Sequence, residues 1–183
     1  MYVNGKVQST TVSSSANYLS SSNRPAIGAN GMNNSSEINA HLSDVKFTIG
    51  TAEYTSNFVP PTAPISSSNA ELLLRGTDAA IIDKSSSANL PLSGDAKCVT
   101  TAVVHNSNTI SPKSILFDGT GDKIPLGNLL HFGDNNSVFS LEMWAKFDTL
   151  SHSTGYLTVF GDDDGNYGKF WFGVRNNKLA YKI

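Results

Sequence analysis

The chain has 183 residues, a formal net charge of −2, 15 % charged side chains and a single cysteine. That length suffices for one all-β body with a full core, the charge gives no global basic field for nucleic acid or an anionic membrane, and the lone Cys98 excludes an internal disulfide. No apolar run approaches the ~20 residues of a membrane helix, residues 1–20 lack the basic and apolar regions of a signal peptide, and the abundance of Ser (25) and Asn (18) suits a secreted, surface or virion β-protein.

Asn4-Gly5 is a strong two-residue hairpin signal, because both central positions of a type I′ turn require positive φ. Only Met1-Tyr2-Val3 precede it, with Lys6–Thr10 as the returning strand. Ser13–Ser22 is polar and reads as a loop or a solvated strand. Asp44–Ile49 reads as a strand. In Phe58-Val-Pro-Pro-Thr-Ala-Pro64 the prolines cannot donate ladder hydrogen bonds and favour extended chain. With Ser66–Ser68 following, 59–69 reads as an inter-domain linker. Beyond it, Leu72–Leu74, Ala79–Ile82, Lys97-Cys98-Val99 and Ser114–Phe117 are short strand candidates. The clearest pattern is Val138–Phe147. Phe139, Leu141, Met143, Ala145 and Phe147 share one face; Ser140, Glu142, Trp144 and Lys146 share the other. That period of two predicts a strand with one buried face and Glu142 toward solvent. Tyr156–Phe160, Lys169–Val174 and Lys178–Ile183 complete the set, separated by Gly161-Asp-Asp-Asp-Gly165 and Asn176-Asn177. Many short strands divided by Gly, Asn and Asp turns predict an antiparallel all-β sandwich. No internal repeat is visible.

Several segments resemble a known family. Ser114-Ile-Leu-Phe-Asp-Gly-Thr-Gly-Asp-Lys-Ile-Pro125 followed by Phe139-Ser-Leu-Glu-Met-Trp-Ala-Lys-Phe147 resembles the opening of a laminin-G-like (LamG) domain, one of the concanavalin A-like lectin/glucanase jelly rolls. Leu72–Leu74 with Asp83–Ser86 resembles a still earlier strand and turn. Tyr2-Val-Asn-Gly-Lys6, Ile27-Gly28 with Leu42–Lys46, and Ala52–Phe58 with Pro60-Pro61 resemble the closing segments of such domains where they occur in tandem in phage structural proteins. Ala40-His41 stands where that closing pattern usually has Gly. The order is permuted: residues 1–58 resemble closing strands and 70–183 opening strands. The segment that usually lies between Ile183 and a following Tyr-Val-Asn-Gly, with its Trp-containing strand, is missing, so both ends read as cuts through sheets. The resemblance implies a jelly roll, either one sandwich in permuted strand order or two partial sandwiches. In the second case open strand edges would invite self-association.

Catalysis finds no support in the motifs. Glucanases of this superfamily carry an E-x-D-x-x-E strand whose carboxylates flank the glycosidic bond; here those spacings fall on Glu142, Trp144 and Phe147. His41, His105, His131 and His152 are dispersed and read as surface or capping residues, and no nucleophile motif occurs. Gly119-Thr-Gly121 lacks the third Gly and the helix of a dinucleotide loop, and Asp118 and Asp122 beside it read as side chains that shape the bend. Asp162, Asp163, Asp164 and Asn166 offer oxygens suited to calcium, against the alternative of a plain hairpin turn. Trp144, Tyr167 and Trp171 could stack on the apolar face of a sugar, against the alternative of core packing. The expectation is a non-enzymatic binding or structural module of a surface or tail-fibre-like virion protein, recognising a glycan or a protein. The alternative is an accessory carbohydrate-binding domain of a carbohydrate-active enzyme.

Overall fold

The computed structural model describes residues 1–8, 25–31, 35–76, 81–85, 90, 92–126, 138–151, 156–161 and 171–182. Among them every regular element is a β-strand, and every strand pair is antiparallel. No helix among the described residues is long and apolar enough to cross a membrane. In chain order the strands are β1 (Tyr2–Val3), β2 (Lys6–Val7), β3 (Ala26–Ile27), β4 (Asn39–Ile49), β5 (Leu72–Gly76), β6 (Ile81–Asp83), β7 (Lys97–Val99), β8 (Val103–His105), β9 (Asn108–Ser111), β10 (Ser114–Asp118), β11 (Ile124–Pro125), β12 (Phe139–Phe147), β13 (Tyr156–Gly161), β14 (Trp171–Arg175) and β15 (Lys178–Lys182). The Asn4-Gly5 hairpin forms with φ of 49° and 75°, and Asn176-Asn177 turns β14 into β15 with φ of 51° and 61°. Positive φ at both central residues is the type I′ requirement, and Asn and Gly meet it with least strain.

Strand β4 is the hub of a six-stranded sheet. One of its edges pairs with β12 from Phe139↔Ile49 to Phe147↔Ala40. The other edge is shared end to end: β10 takes Asn39–Leu42 and β5 takes Val45–Phe47. Ser43 and Asp44 lie where the partner changes. The same point carries a bulge. The register passes from Glu142↔Lys46 to Trp144↔Ser43, so β4 supplies Asp44 and Val45 where β12 supplies only Met143. Asp44 has φ of 49°, the left-handed conformation found at the first residue of one bulge class. The extra residue reverses the phase of the strand. Ala40 and Leu42 face the core before it and Val45 and Phe47 after it, which leaves Ser43 and Asp44 together on the opposite, outer face. At the junction Gly76 abuts β7 and β10 so closely that a Cβ there would lie 2.7 Å from Cys98 Sγ.

The second sheet runs β11-β3-β13-β14-β15. Its apolar side meets that of the first sheet in one core: Ile27, Leu157, Phe160 and Val174 pack with Leu42, Phe47, Leu74, Ile115 and Phe117. The Phe47 ring stacks on Phe160 at 5.6 Å and on Phe139 at 5.5 Å. Both sheets interleave the two parts of the chain, since β3 lies between β11 and β13 and β4 between β12 and the β5/β10 edge. The strands on either side of 59–69 are therefore neighbours in one sheet. The 59–69 stretch, expected as an inter-domain linker, lies in the connection from β4 to β5, which pair directly. Val59 is 86 % exposed, but Ile65 is 5 % exposed, and the Ile65 carbonyl accepts from Arg75 Nη2.

The elements differ from expectation where phase or coverage is hidden. β4 starts five residues before the expected Asp44, because the bulge breaks the alternation there. β3, β11 and the β8–β9 hairpin, each with strands of at most four residues, were not anticipated. In β12, Phe139, Leu141, Met143 and Phe147 pack against the core as the alternation predicts, whereas Ala145 of that face is exposed; on the other face Lys146 is exposed but Glu142 is engaged by Tyr54 and does not face free solvent.

Candidate functional site

The outer face of β4 and β12 gathers polar side chains from distant parts of the sequence. Toward the C-terminal end of β4, segment 51–58 lies across it. Lys46, 4 % exposed, donates to Glu53 Oε1 at 2.9 Å. Ser140 Oγ donates to the Thr51 carbonyl at 3.0 Å and accepts from the Glu53 amide at 2.9 Å. Tyr54 donates its phenolic proton to Glu142 Oε1 at 2.7 Å. Burial pushes the Glu142 carboxyl up, against the opposing effects of the Tyr54 hydrogen bond and the Lys46 charge. Burial also raises the Tyr54 phenol, reinforced by Glu142. The cluster holds proton donors and acceptors, but each is committed to a neighbour.

Around the bulge the pattern changes. Asp44, fully buried, pairs through Oδ1 with Arg75 Nε, while its Oδ2 has no hydrogen-bond partner. Ser43 Oγ and Trp144 Nε1, on directly paired residues, are also buried without a partner. Three of the four such side-chain atoms among the described residues thus gather at one irregularity of one strand. Each unmade hydrogen bond costs about 1–3 kcal/mol. Strand β8 of the β8–β9 hairpin, a separate two-stranded unit, lies against β4 and β12, and its His105 ring lies 5.0 Å from the Trp144 ring. The hairpin turns through Asn106 and Ser107 with φ of 48° and 65°. Ile110 in β9 is 1 % exposed, and burying such a side chain contributes roughly 1.5–3 kcal/mol. His41 lies further along the same face, 8 % exposed. It contacts Ser114 Oγ at 3.1 Å through Nδ1 and Asp148 Oδ2 at 3.2 Å through Nε2. It was expected as a surface or capping residue, and is instead held between Ser114 and Asp148.

A second polar cluster stands on the rim, where carboxylate oxygens of Asp95, Asp118 and Asp122 lie within 4.8 Å of one another. Asp122, 1 % exposed, accepts from the Asp95 amide at 2.7 Å through Oδ1 and from the Asp118 amide at 2.9 Å through Oδ2. Asp118 Oδ1 accepts from the Thr120 amide at 2.8 Å, an Asx turn. Burial raises the Asp122 carboxyl, partly offset by its two amide donors. The oxygens that could meet a cation already pin two loops together, and the expected bend-shaping role of Asp118 and Asp122 is what the hydrogen bonds display.

Of the residues singled out from sequence, Tyr167 and the calcium candidates Asp162, Asp163, Asp164 and Asn166 lie outside the described residues. Trp171 is 5 % exposed. Its Nε1 donates to Thr158 Oγ1 at 2.7 Å, and its ring covers Gly173, where a Cβ would meet Trp171 Cζ2 at 2.9 Å. It packs against its own sheet and offers no open face to a sugar. Trp144 is half-buried, with the His105 ring beside it and, among the described residues, an unpaired donor. Sequence reasoning selected Trp144 but missed Ser43 and Asp44, whose signal was the phase break between Leu42 and Val45. Comparison with protein-family models, with curated proteins and with solved structures finds no match to this chain.

Proposed function

We propose that this chain is a non-enzymatic binding module of laminin-G-like, concanavalin A-like jelly-roll type, serving glycan or protein recognition in a surface or tail-fibre-like virion protein. The observation that carries the reading is the pairing of β4 with β10 and β12. β4 comes from the segment that resembles the family's closing strand, and β10 and β12 from segments that resemble its opening. In a single jelly roll these would be neighbours, and motifs that are permuted in the sequence are adjacent in space. The binding reading is supported by Trp144, an aromatic ring with an unpaired donor. The non-enzymatic reading is supported by β12, where Glu142 is the one carboxylate at the positions a glucanase would use, and where it is engaged by Tyr54. The test is a glycan array combined with an assay for hydrolysis of every glycan retained. Retention without turnover is the expected result; turnover overturns the non-enzymatic assignment.

A further inference from the structure

We propose that the β8–β9 hairpin is a lid over a saccharide site whose floor is Trp144 and Ser43. The proposal rests on the binding-module reading and gives it a location and a ligand chemistry. Trp144 and Ser43 are directly paired across β12 and β4. The first buries an indole N–H and the second a hydroxyl, neither with a partner. A sugar ring satisfies this set: its apolar C–H face stacks on the indole, one hydroxyl oxygen accepts from Trp144 Nε1, and a neighbouring hydroxyl exchanges a hydrogen bond with Ser43 Oγ.

The hairpin is suited to move. Its strands pair only with each other among the described residues. It rests on the body where β8 lies against β4 and β12, with the His105 ring on Trp144, and it carries one buried apolar side chain, Ile110. Its base is tied locally, by Ser114 Oγ donating to the Thr101 carbonyl at 2.9 Å and Ser111 Oγ to the Lys113 carbonyl at 2.7 Å. These ties hold the two ends of the hairpin rather than its tip, so the tip can swing about them. Closure leaves Ser43 Oγ, Trp144 Nε1 and Asp44 Oδ2 unsatisfied, and a ligand that supplies partners to the first two shifts the balance toward the open form.

Fluorine NMR of the full chain labelled with fluorotryptophan tests this, because the chain holds only Trp144 and Trp171, and Trp171→Phe assigns the two lines. In Ile110→Ala the Trp144 line should acquire the H2O/D2O isotope shift of a solvated indole while the Trp171 line stays put; His105→Ala serves as the milder variant should Ile110→Ala unfold. Methyl β-D-glucopyranoside and N-acetyl-D-glucosamine are then titrated. At least one should move the Trp144 line saturably, with about 3–10-fold tighter apparent binding in the opened variant, since the closed form no longer reduces the competent fraction. An unchanged isotope shift in both variants overturns the lid. A Trp144 line unmoved by both sugars in the opened variant overturns the saccharide site. Glycan-array binding that survives Trp144→Ala overturns the site while leaving the binding-module reading standing; array binding lost in Trp144→Ala, with the Trp171 line unchanged, supports both.

Discussion

Gly28 and Phe117 meet across the two parts of the sequence: a Cβ built on Gly28 would lie 2.3 Å from ring atoms Cδ1 and Cε1 of Phe117. Gly28 has φ of 94°, donates to the Val159 carbonyl at 2.9 Å and accepts from the Ile38 amide at 2.9 Å. Its backbone is thus fixed on both sides while a fully buried ring fills the space where a side chain would go. Gly28→Ala combines left-handed strain, about 1–3 kcal/mol, with overpacking of about 1–3 kcal/mol. Phe117→Ala alone should cost about 3–5 kcal/mol. The double variant should lose less than the sum, because the cavity receives the new methyl group. Urea denaturation of all three variants checks this, and strict additivity would mean that the ring moves aside freely.

The buried Asp122 carboxylate joins the 93–95 turn to the 118–122 turn through the Asp95 and Asp118 amides. Asp122→Asn keeps one acceptor and turns an NH2 group toward a backbone N–H. The expected loss is about 1–3 kcal/mol, the cost of leaving a buried donor unmet. Faster amide exchange at Asp95 or Asp118, with the β12 amides unchanged, would locate the damage in these turns.

The pH dependence of stability should follow Glu142. Burial raises its carboxyl above the ordinary value of 4.5. A raised folded-state value means that folding favours the protonated form. The contribution is therefore complete below pH 4.5 and is lost as pH rises through the raised value. Glu142→Gln retains an acceptor for the Tyr54 hydroxyl and should remove this decline. Tyr54→Phe removes the hydrogen bond that opposes the rise, so its decline should extend to higher pH. Urea midpoints of the three proteins measured from pH 4 to pH 8 decide the matter; parallel curves would exclude Glu142 as the titrating group.

Much of this arrangement was legible in the sequence, and the illegible parts share a cause. Val138–Phe147 declared itself through alternation, and the strand occupies it from Phe139 onward, because the partly buried side chains Leu141 and Met143 repeat with the pleat. The Asn4-Gly5 and Asn176-Asn177 turns were legible because positive φ restricts residue choice. The cover over Glu142 was not legible, because Tyr54 lies 88 positions away. The start of β4 was hidden by the bulge at Asp44, which makes a continuous strand look like the end of one pattern and the start of another. Trp171 was placed correctly opposite Phe172, yet its burial depends on Gly173 and Thr158, the absence of a side chain on one strand and a hydroxyl on the next.

That pair gives a test of Trp171 as a packing residue. Thr158→Val leaves the buried indole N–H without its acceptor and should cost about 1–3 kcal/mol. In a Trp171→Phe background the same change should cost much less, because the donor is gone. The coupling is read from a double-mutant cycle. Glycan binding should be unaffected in Thr158→Val; its loss there would return Trp171 to the list of contact residues.

The N-terminal hairpin offers the sharpest link between a turn and a distant ionisable group. Gly5 accepts from the Phe58 amide at 2.9 Å, and a Cβ on Gly5 would lie 2.0 Å from the Phe58 carbonyl oxygen. Phe58 in turn meets Tyr2 edge-on at 5.6 Å and stacks on Tyr54 at 3.5 Å, and Tyr54 holds Glu142. Gly5→Ala should therefore undock β1 and β2 without unfolding the core. The Val7 amide, which donates to Asn57 Oδ1 at 2.8 Å, and the Gln8 amide, which donates to the Met1 carbonyl at 2.9 Å, should lose exchange protection while β4 amides keep theirs. If the Phe58 stack is what steadies Tyr54, the variant should also reproduce part of the Tyr54→Phe pH profile. Undocking with an unaltered profile would show that the Tyr54–Glu142 bond stands on the 51–58 segment alone.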